Sequence, residues 1–253
     1  MSGDGSVVFG INPVRALLET PGRHVDALMI MDGQAGRELR EVQELARQAG
    51  LRYRLVPRRE LDRLADGGHH QGVVARVAPR PAPSWDDLLE QMARERDPLL
   101  VLLDGVEDPH NLGAILRTAE AFGARAVVTP KDRAAPLSGA AIKAAAGAAE
   151  RLDVVRVTNL SRALEQLGAA GFTRFGLAGE AALPLDECDY SGPLAVVMGA
   201  EGQGLRRLTR ERCDHLVAIP MARSGLSLNV SVATGVVLHH IVHSRAGGTG
   251  RQG

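Results

Sequence analysis

Leu99-Leu-Val-Leu-Leu103 is an uninterrupted apolar run that stops at Asp104-Gly105. A run this short and this uniform has no polar face to offer water, which is the pattern of a strand buried on both sides within a parallel sheet. Further apolar runs predict strands at 126–129, 154–157, 172–178, 194–198 and 215–219, most of them separated by helical spacing. Strands alternating with helices imply an α/β fold with a mainly parallel, doubly wound sheet. Ahead of it, helical spacing at 14–18, 37–49 and 60–64 alternates with strand patterns at 27–31, 53–56 and 73–77, a smaller α/β module. Pro79, Pro81 and Pro83 alternate with other residues between the two, and alternating proline favours extended backbone. The expected organisation is therefore a first domain over 1–78, a linker over 79–97, a second domain over 98–245 and a flexible, glycine-rich tail over 246–253.

At 253 residues, with 45% hydrophobic and 24% charged side chains, the chain has the composition of a globular protein with room for two domains. Lys plus Arg and Asp plus Glu number 30 each, so any nucleic-acid site has to be a local patch. Cys188 and Cys213 are the two cysteines; without a CxxC pair or clustered histidines they predict neither a disulfide framework nor a metal site, and fit a reducing cytoplasm. No secretory leader and no apolar run of about 18 residues is seen, so neither export nor a membrane span is expected.

Three segments carry the chemistry, each at the end of an expected strand. In 104–123, Leu112, Ile115, Ala119 and Phe122 form one apolar helix stripe and Arg117 falls opposite it, facing outward, with Gly113 leaving space one turn away. Asn111 stands where an N-cap is expected, so capping is one reading of it, and a solvated helix arginine is one reading of Arg117. In 196–208, Gly199, Gly202 and Gly204 let the backbone turn sharply and approach a ligand, with a lone Glu201 between them. The spacing is not G-x-G-x-x-G, and Leu205 stands where a P-loop needs lysine, which disfavours dinucleotides and nucleoside triphosphates. In 219–240, Ser227 or Asn229 can cap a helix whose apolar face is Val230, Ala233, Val237 and Ile241. Ligands in open α/β sheets bind at the carboxyl ends of strands, where all three segments lie.

Read together, Asn-Leu-Gly-x3-Arg-Thr-x3-Phe-Gly, Met-Gly-Ala-Glu-Gly-x-Gly and Ile-Pro-Met-x5-Ser-Leu-Asn-Val-Ser-Val-Ala resemble the three ordered motifs of the SpoU-type RNA ribose methyltransferases of the SPOUT class. Phe9-Gly-Ile-Asn-Pro-Val and His70-Gln-Gly72 extend the likeness over nearly the whole chain, and the resemblance is strongest to bacterial members acting on guanosine in 23S rRNA. It implies an L30e-like RNA-binding first domain and a SPOUT domain closed by a C-terminal trefoil knot, a topology that generic chain rules would exclude. It implies a homodimer with a site shared between subunits, and S-adenosylmethionine bound at Gly199, Ile219 and Leu228, with Met198, Gly202 and Met221 beside them. Asn111, Arg117, Glu201, Ser227 and Asn229 match the family's polar active-site positions. Residues 222–226 depart from the small uncharged stretch expected there, Arg223 most of all. In the first domain Arg52, Arg54, Arg58, Arg59 and Arg63 cluster around Tyr53, a basic patch suited to RNA or simply a solvated face. His69, His70 and Gln71 are read either as contacts to exposed bases or as plain loop residues. The rivals are methylation of tRNA or another rRNA site, a non-catalytic rRNA-binding assembly protein, which would not need Glu201 or the glycine turn, and a nicotinamide enzyme, which would need G-x-G-x-x-G after the first strand.

Overall fold

The structure, a computed structural model, describes residues 6–20, 22–33, 36–77, 82–223 and 227–248. The chain forms two compact units: the described residues up to 77 joined by Leu137–Arg151, and 82–136 joined by the chain from Leu152 onward.

In the first unit β1 (Ser6–Phe9), α1 (Ile11–Glu19), β2 (Val25–Met31), α2 (Arg37–Gln48), β3 (Tyr53–Val56), α3 (Arg58–Leu64) and β4 (Val73–Val77) build a four-stranded sheet in the order β1-β4-β2-β3. β4 runs antiparallel to both neighbours, whereas β3 is parallel to β2 at an open edge. Side chains alternate across β4: Val73, Ala75 and Val77 pack with Val14, Leu17, Leu39 and Val42 of α1 and α2, while Val74 faces Leu61 and Ala65 with α3. Both faces of this small sheet are thereby covered.

The second unit opens with α4 (Trp85–Met92), inside the stretch read as linker. Ser84 and Asp87 form a reciprocal capping box, and Leu88 and Met92 are buried in the unit's core. Then follow β5 (Leu99–Asp104), α5 (Pro109–Ala121) and β6 (Ala126–Pro130), after which α6 (Gly139–Ala144) and α7 (Ala148–Arg151) belong to the first unit. There Ile142 packs on the α1 and α2 side of the sheet and Glu150 pairs with Arg23 at 2.7 Å, both side chains buried. The second unit resumes with β7 (Asp153–Val157), α8 (Leu160–Ala169), β8 (Thr173–Leu177), β9 (Leu183–Pro184), β10 (Leu194–Gly199), α9 (Arg207–Glu211), β11 (His215–Ala218) and α10 (Val230–Gly248).

Its seven strands lie in the order β7-β6-β5-β10-β8-β11-β9, every pairing parallel. All six residues of β5 are buried, as the apolar run requires. Leu100, Leu102, Ala195 and Val197 share a core with α4 and α8, and α10 lies along α5 with Gly235 beside Thr118 and Phe122 meeting the ring of His239.

The expected strands are present, with ends moved by one or two residues. β1 and the two-residue β9 are additional. α10 runs three residues past the point where the tail was placed, because the Arg245 guanidinium donates to the carbonyls of Tyr190, Gly192 and Asp97. Residues 249–253, Pro79 and Pro81 lie outside the described residues. Among the described residues no helix is long and apolar enough to cross a membrane, and no group of three or more metal-ligating side chains occurs.

Two consequences are measurable. Gly147 has φ +99, and a β-carbon there would sit 2.5 Å from that of Ala16. Gly147→Ala is expected to cost about 2 to 4 kcal/mol, from the left-handed backbone plus overpacking, seen as a lower denaturant midpoint for the first unit. Burial pushes the Cys213 thiol up to about 12, so at pH 8 it stays protonated and should react with thiol reagents far more slowly than after unfolding.

Candidate active site

All strands of the larger sheet point the same way, so their carboxyl ends share one edge. β10 ends there on Gly199, where a side chain is impossible: its β-carbon would lie 2.3 Å from the carbonyl carbon of Gly204. The chain turns back on itself through Gly202 and Gly204, both at positive φ. Ala200 and Gly204 exchange backbone hydrogen bonds of 3.2 and 2.9 Å. The exit of the turn is fixed from the neighbouring strand, because Asp104 at the end of β5 accepts a 2.8 Å bond from the Arg206 backbone N–H. Gly199 is thus demanded by close backbone approach within the turn itself, and Gly202 and Gly204 by backbone conformation.

Over this turn opens a pocket of about 320 Å³. Met198, Gly199, Gly202, Ile219, Met221 and Leu228, read from the sequence as cofactor contacts, all line it, together with Glu201 and Ser227. Glu180 and Arg210 also line it and form an ion pair. The Arg210 hydrogen bond holds the Glu180 carboxyl below the usual carboxylate range. Sequence reading passed over this pair, since Glu180 lies in a loop after β8 and Arg210 in a charged helix with no spacing to connect them. Residues 224–226, three of the five in the departure around Arg223, lie outside the described residues; Arg223 itself is exposed.

Around Glu201 of the pocket lining, three polar side chains meet from three distant segments. Glu201 Oε1 accepts from Asn111 Nδ2 at 3.3 Å, from Asn229 Nδ2 at 2.5 Å and from the Val230 N–H at 3.4 Å. Asn229 Nδ2 also donates to Asn111 Oδ1 at 2.9 Å. Asn111 does not cap α5: the helix starts at Pro109, and Asp108 is the cap, accepting from the His110 N–H. Asn111 sits one turn inside and is left for the site. Asn229 does both jobs, its Oδ1 accepting from the Ser231 and Val232 N–H groups at the start of α10 while its Nδ2 reaches Glu201.

Arg117 is exposed as its helical phase requires, makes no hydrogen bond or ion pair among the described residues, and does not line the pocket. Gly113 is buried, so it is a packing position of α5 and not open ground beside Arg117.

In the first unit Arg52, Arg54, Arg58, Arg59 and Arg63 are exposed on and around the open edge strand β3 and on α3, with Leu55 projecting among them. His70 and Gln71 are engaged inside the unit. The buried His70 ring meets Asp62 at 3.0 Å through Nε2 and accepts the Gly72 N–H at 3.0 Å through Nδ1. Gln71 Oε1 accepts from the Ile11 N–H at the start of α1. His69 remains exposed.

The double duty of Asn229 gives a test. Asn229→Ala removes the cap and is expected to cost about 1 to 2 kcal/mol. Asn229→Asp keeps a capping oxygen but sets a second carboxylate against Glu201. One of the pair then favours its protonated form, so the loss should be largest above pH 6 and shrink toward pH 4 in denaturant titrations.

Residues 98–239 match the SpoU rRNA Methylase family, and residues 7–83 match the family described as RNA 2'-O ribose methyltransferase substrate binding. Among curated proteins, the 23S rRNA (guanosine-2'-O-)-methyltransferase RlmB of Haemophilus influenzae is 47% identical over 241 residues, covering 95% of this chain and 98% of the relative. Its Escherichia coli K12 counterpart is 45% identical over 240 residues, covering 95% and 99%. The solved SpoU methyltransferase AviRb of Streptomyces viridochromogenes, in complex with AdoMet, superposes with a TM-score of 0.78 at 26% identity, covering 95% of this chain and 90% of that one. With family matches over both units and relatives this similar along almost its whole length, the chain belongs to the SpoU rRNA methylase family.

Proposed function

We propose that this chain transfers a methyl group from S-adenosylmethionine to the ribose 2'-hydroxyl of a guanosine in 23S rRNA, in the peptidyl-transferase region, as a step of ribosome maturation in the cytoplasm. The observation that carries the reading is the pocket: every residue expected to hold the donor lines it, and Glu201 of its lining is bonded to Asn111 and Asn229. The walls fit such a donor. Gly199, Gly202 and Gly204 present main chain without side-chain obstruction, while Met198, Ile219, Met221 and Leu228 give apolar surface for the donor's purine.

When bound, the donor supplies a methyl group on a positively charged sulfur. What remains for the protein is to hold the 2'-oxygen in line and ease the loss of its proton. Ser227 and Asn111 offer hydrogen bonds to the ribose, and Glu201 fixes both asparagine amides. An arginine does not surrender its proton in proteins, so the role assigned to Arg117 is to grip an adjacent phosphate with its forked donors and stabilise the developing negative charge on the 2'-oxygen.

Arg117 stands clear of the pocket lining, which supports a site completed by the Arg117 of a second copy. α10 is apolar around most of its circumference, yet Val232 and Val236 on one side are 52% and 39% exposed, the surface a homodimer would cover. The trefoil knot belongs to the same reading, as does an L30e-like role for the first unit. RNA contact there is assigned to Arg52, Arg54, Arg58 and Arg59. His70 and Gln71 act by shaping the loop, their polar atoms being spent on Asp62, Gly72 and Ile11.

Methylation of 23S rRNA by the purified protein, with the 2'-O-methyl position mapped against RNA from a deletion strain, tests the reading; no incorporation would overturn it. Mixed dimers test the arrangement. Arg117→Ala and Glu201→Ala chains, each inactive alone, should recover about half of wild-type activity per hybrid dimer if Arg117 acts across the interface, and none if it acts within its own chain. Arg117→Lys should lose at least about tenfold in kcat, with RNA affinity nearly unchanged.

A further inference from the structure

The donor pocket carries one charged pair to which the proposed reaction gives no task. Its lining holds three charged side chains, Glu180, Glu201 and Arg210. Glu201 is engaged, its Oε1 accepting from Asn111, Asn229 and the Val230 N–H. Glu180 and Arg210 come from separate elements, the loop after β8 and α9, and are joined by a hydrogen bond from Arg210 Nη1 to Glu180 Oε1. Neither lines the acidic cleft next to the pocket, where Asn111 stands with Asp104, Glu107 and Asp108. The pair therefore faces the donor's side of the site.

With side chains 34% and 65% exposed for Arg210 and Glu180, an ion pair adds little to stability, because solvent screens it. In a pocket wall it has a second effect: a cation and an anion stand side by side before any ligand arrives. The other donors of the Arg210 guanidinium make no hydrogen bond among the described residues, and the Glu180 carboxylate has lone pairs to spare. S-adenosylmethionine ends, away from its adenine, in an α-carboxylate and an α-ammonium on one carbon. That carboxylate is the donor's single anionic group, and Arg210 is the single cation of the lining. The apolar wall of Val217, Ile219, Met221 and Leu228 cannot take such an end, since neither charge would recover its lost hydration there.

We propose that Arg210 and Glu180 hold the amino-acid end of the donor, Arg210 donating to the α-carboxylate and Glu180 accepting from the α-ammonium. The proposal rests on the reading of this pocket as the S-adenosylmethionine site. Neither side chain touches the methyl group or the 2'-oxygen. Holding the end of the chain restricts the sulfur, two methylenes away, and with it the line along which the methyl leaves. Because the pair is already joined, less side-chain freedom is lost when the donor binds.

Calorimetric titration with S-adenosylhomocysteine and with 5'-deoxy-5'-methylthioadenosine tests this. The second ligand has the same adenine, ribose and thioether but no amino-acid end. The unaltered protein should bind S-adenosylhomocysteine at least about tenfold more tightly, the size expected of charged hydrogen bonds. Arg210→Gln and Glu180→Gln should each cut that preference by about threefold or more, while methylthioadenosine affinity stays within about twofold. An ion pair that only supports the fold would weaken both ligands together. Retained methylthioadenosine binding shows that the pocket is intact, and Glu180, the more exposed partner, gives the variant least able to disturb it. No preference in the unaltered protein, a preference unchanged in both variants, or equal weakening of both ligands would overturn the proposal and leave the pocket's assignment standing. Protein that binds neither ligand would overturn the donor reading, and this inference with it.

Discussion

The site depends on the parallel pairing of β5 with β10, six rungs from Leu99 opposite Leu194 to Asp104 opposite Gly199. The two strands are separated by some ninety residues of chain, yet this register ends them side by side. The loops that leave them, 105–108 into α5 and 200–206 into α9, therefore start from adjacent points. Asp104 can reach the Arg206 N–H and Asn111 can reach Glu201 only because of that register. A shift by one residue would turn Asp104 to the other face of the sheet. Burial enforces the pairing: ten apolar side chains packed on both faces cannot be exposed, and backbone groups of two central strands, each paired on its other side with β6 or β8, must find partners in one another on this side.

Within that frame the chemistry is kept where fold and function do not compete. Gly199 is excluded from carrying a side chain by the Gly204 carbonyl, and that same exclusion leaves main chain as the pocket wall. Capping and function coexist at Asn229 because the amide has two ends, one for the α10 backbone and one for Glu201. At Asn111 they are separated instead, with Asp108 taking over the cap three residues earlier. The bland and the chemical readings of an asparagine near a helix start are thus not alternatives; the geometry of the first turn decides how they are shared.

Much of this was legible before any coordinates. Strongly apolar runs and helical stripes located the central strands and α5, and the resemblance of three motifs located the pocket residues. What escaped has identifiable causes. β1 is a short edge strand whose partner, β4, lies more than sixty residues on, so no local period marks it. α4 carries its capping box in Ser84 and Asp87, but the alternating prolines before it drew the whole stretch into a linker. α6 and α7 are rich in alanine and glycine, which fit equally into either unit, and what ties them to the first is the packing of Ile142, the close approach of Gly147 to Ala16 and the buried Arg23 and Glu150 pair. His70 and Gln71 look like free polar loop residues in sequence; that they accept from the Gly72 and Ile11 backbone N–H groups is something no pattern of residue types reveals.

Zero net charge, which at first argues against an RNA partner, coexists with two local patches of opposite sign. Arginines crowd one edge of the first unit, while Asp104, Glu107, Asp108 and Glu201 surround the cleft beside the pocket. A polyanion is drawn to the first and disfavoured at the second. On the proposed reading that separation is useful. Phosphates are left to arginines, Arg117 among them. A neutral total therefore hides the local fields that decide where a polyanion can lie.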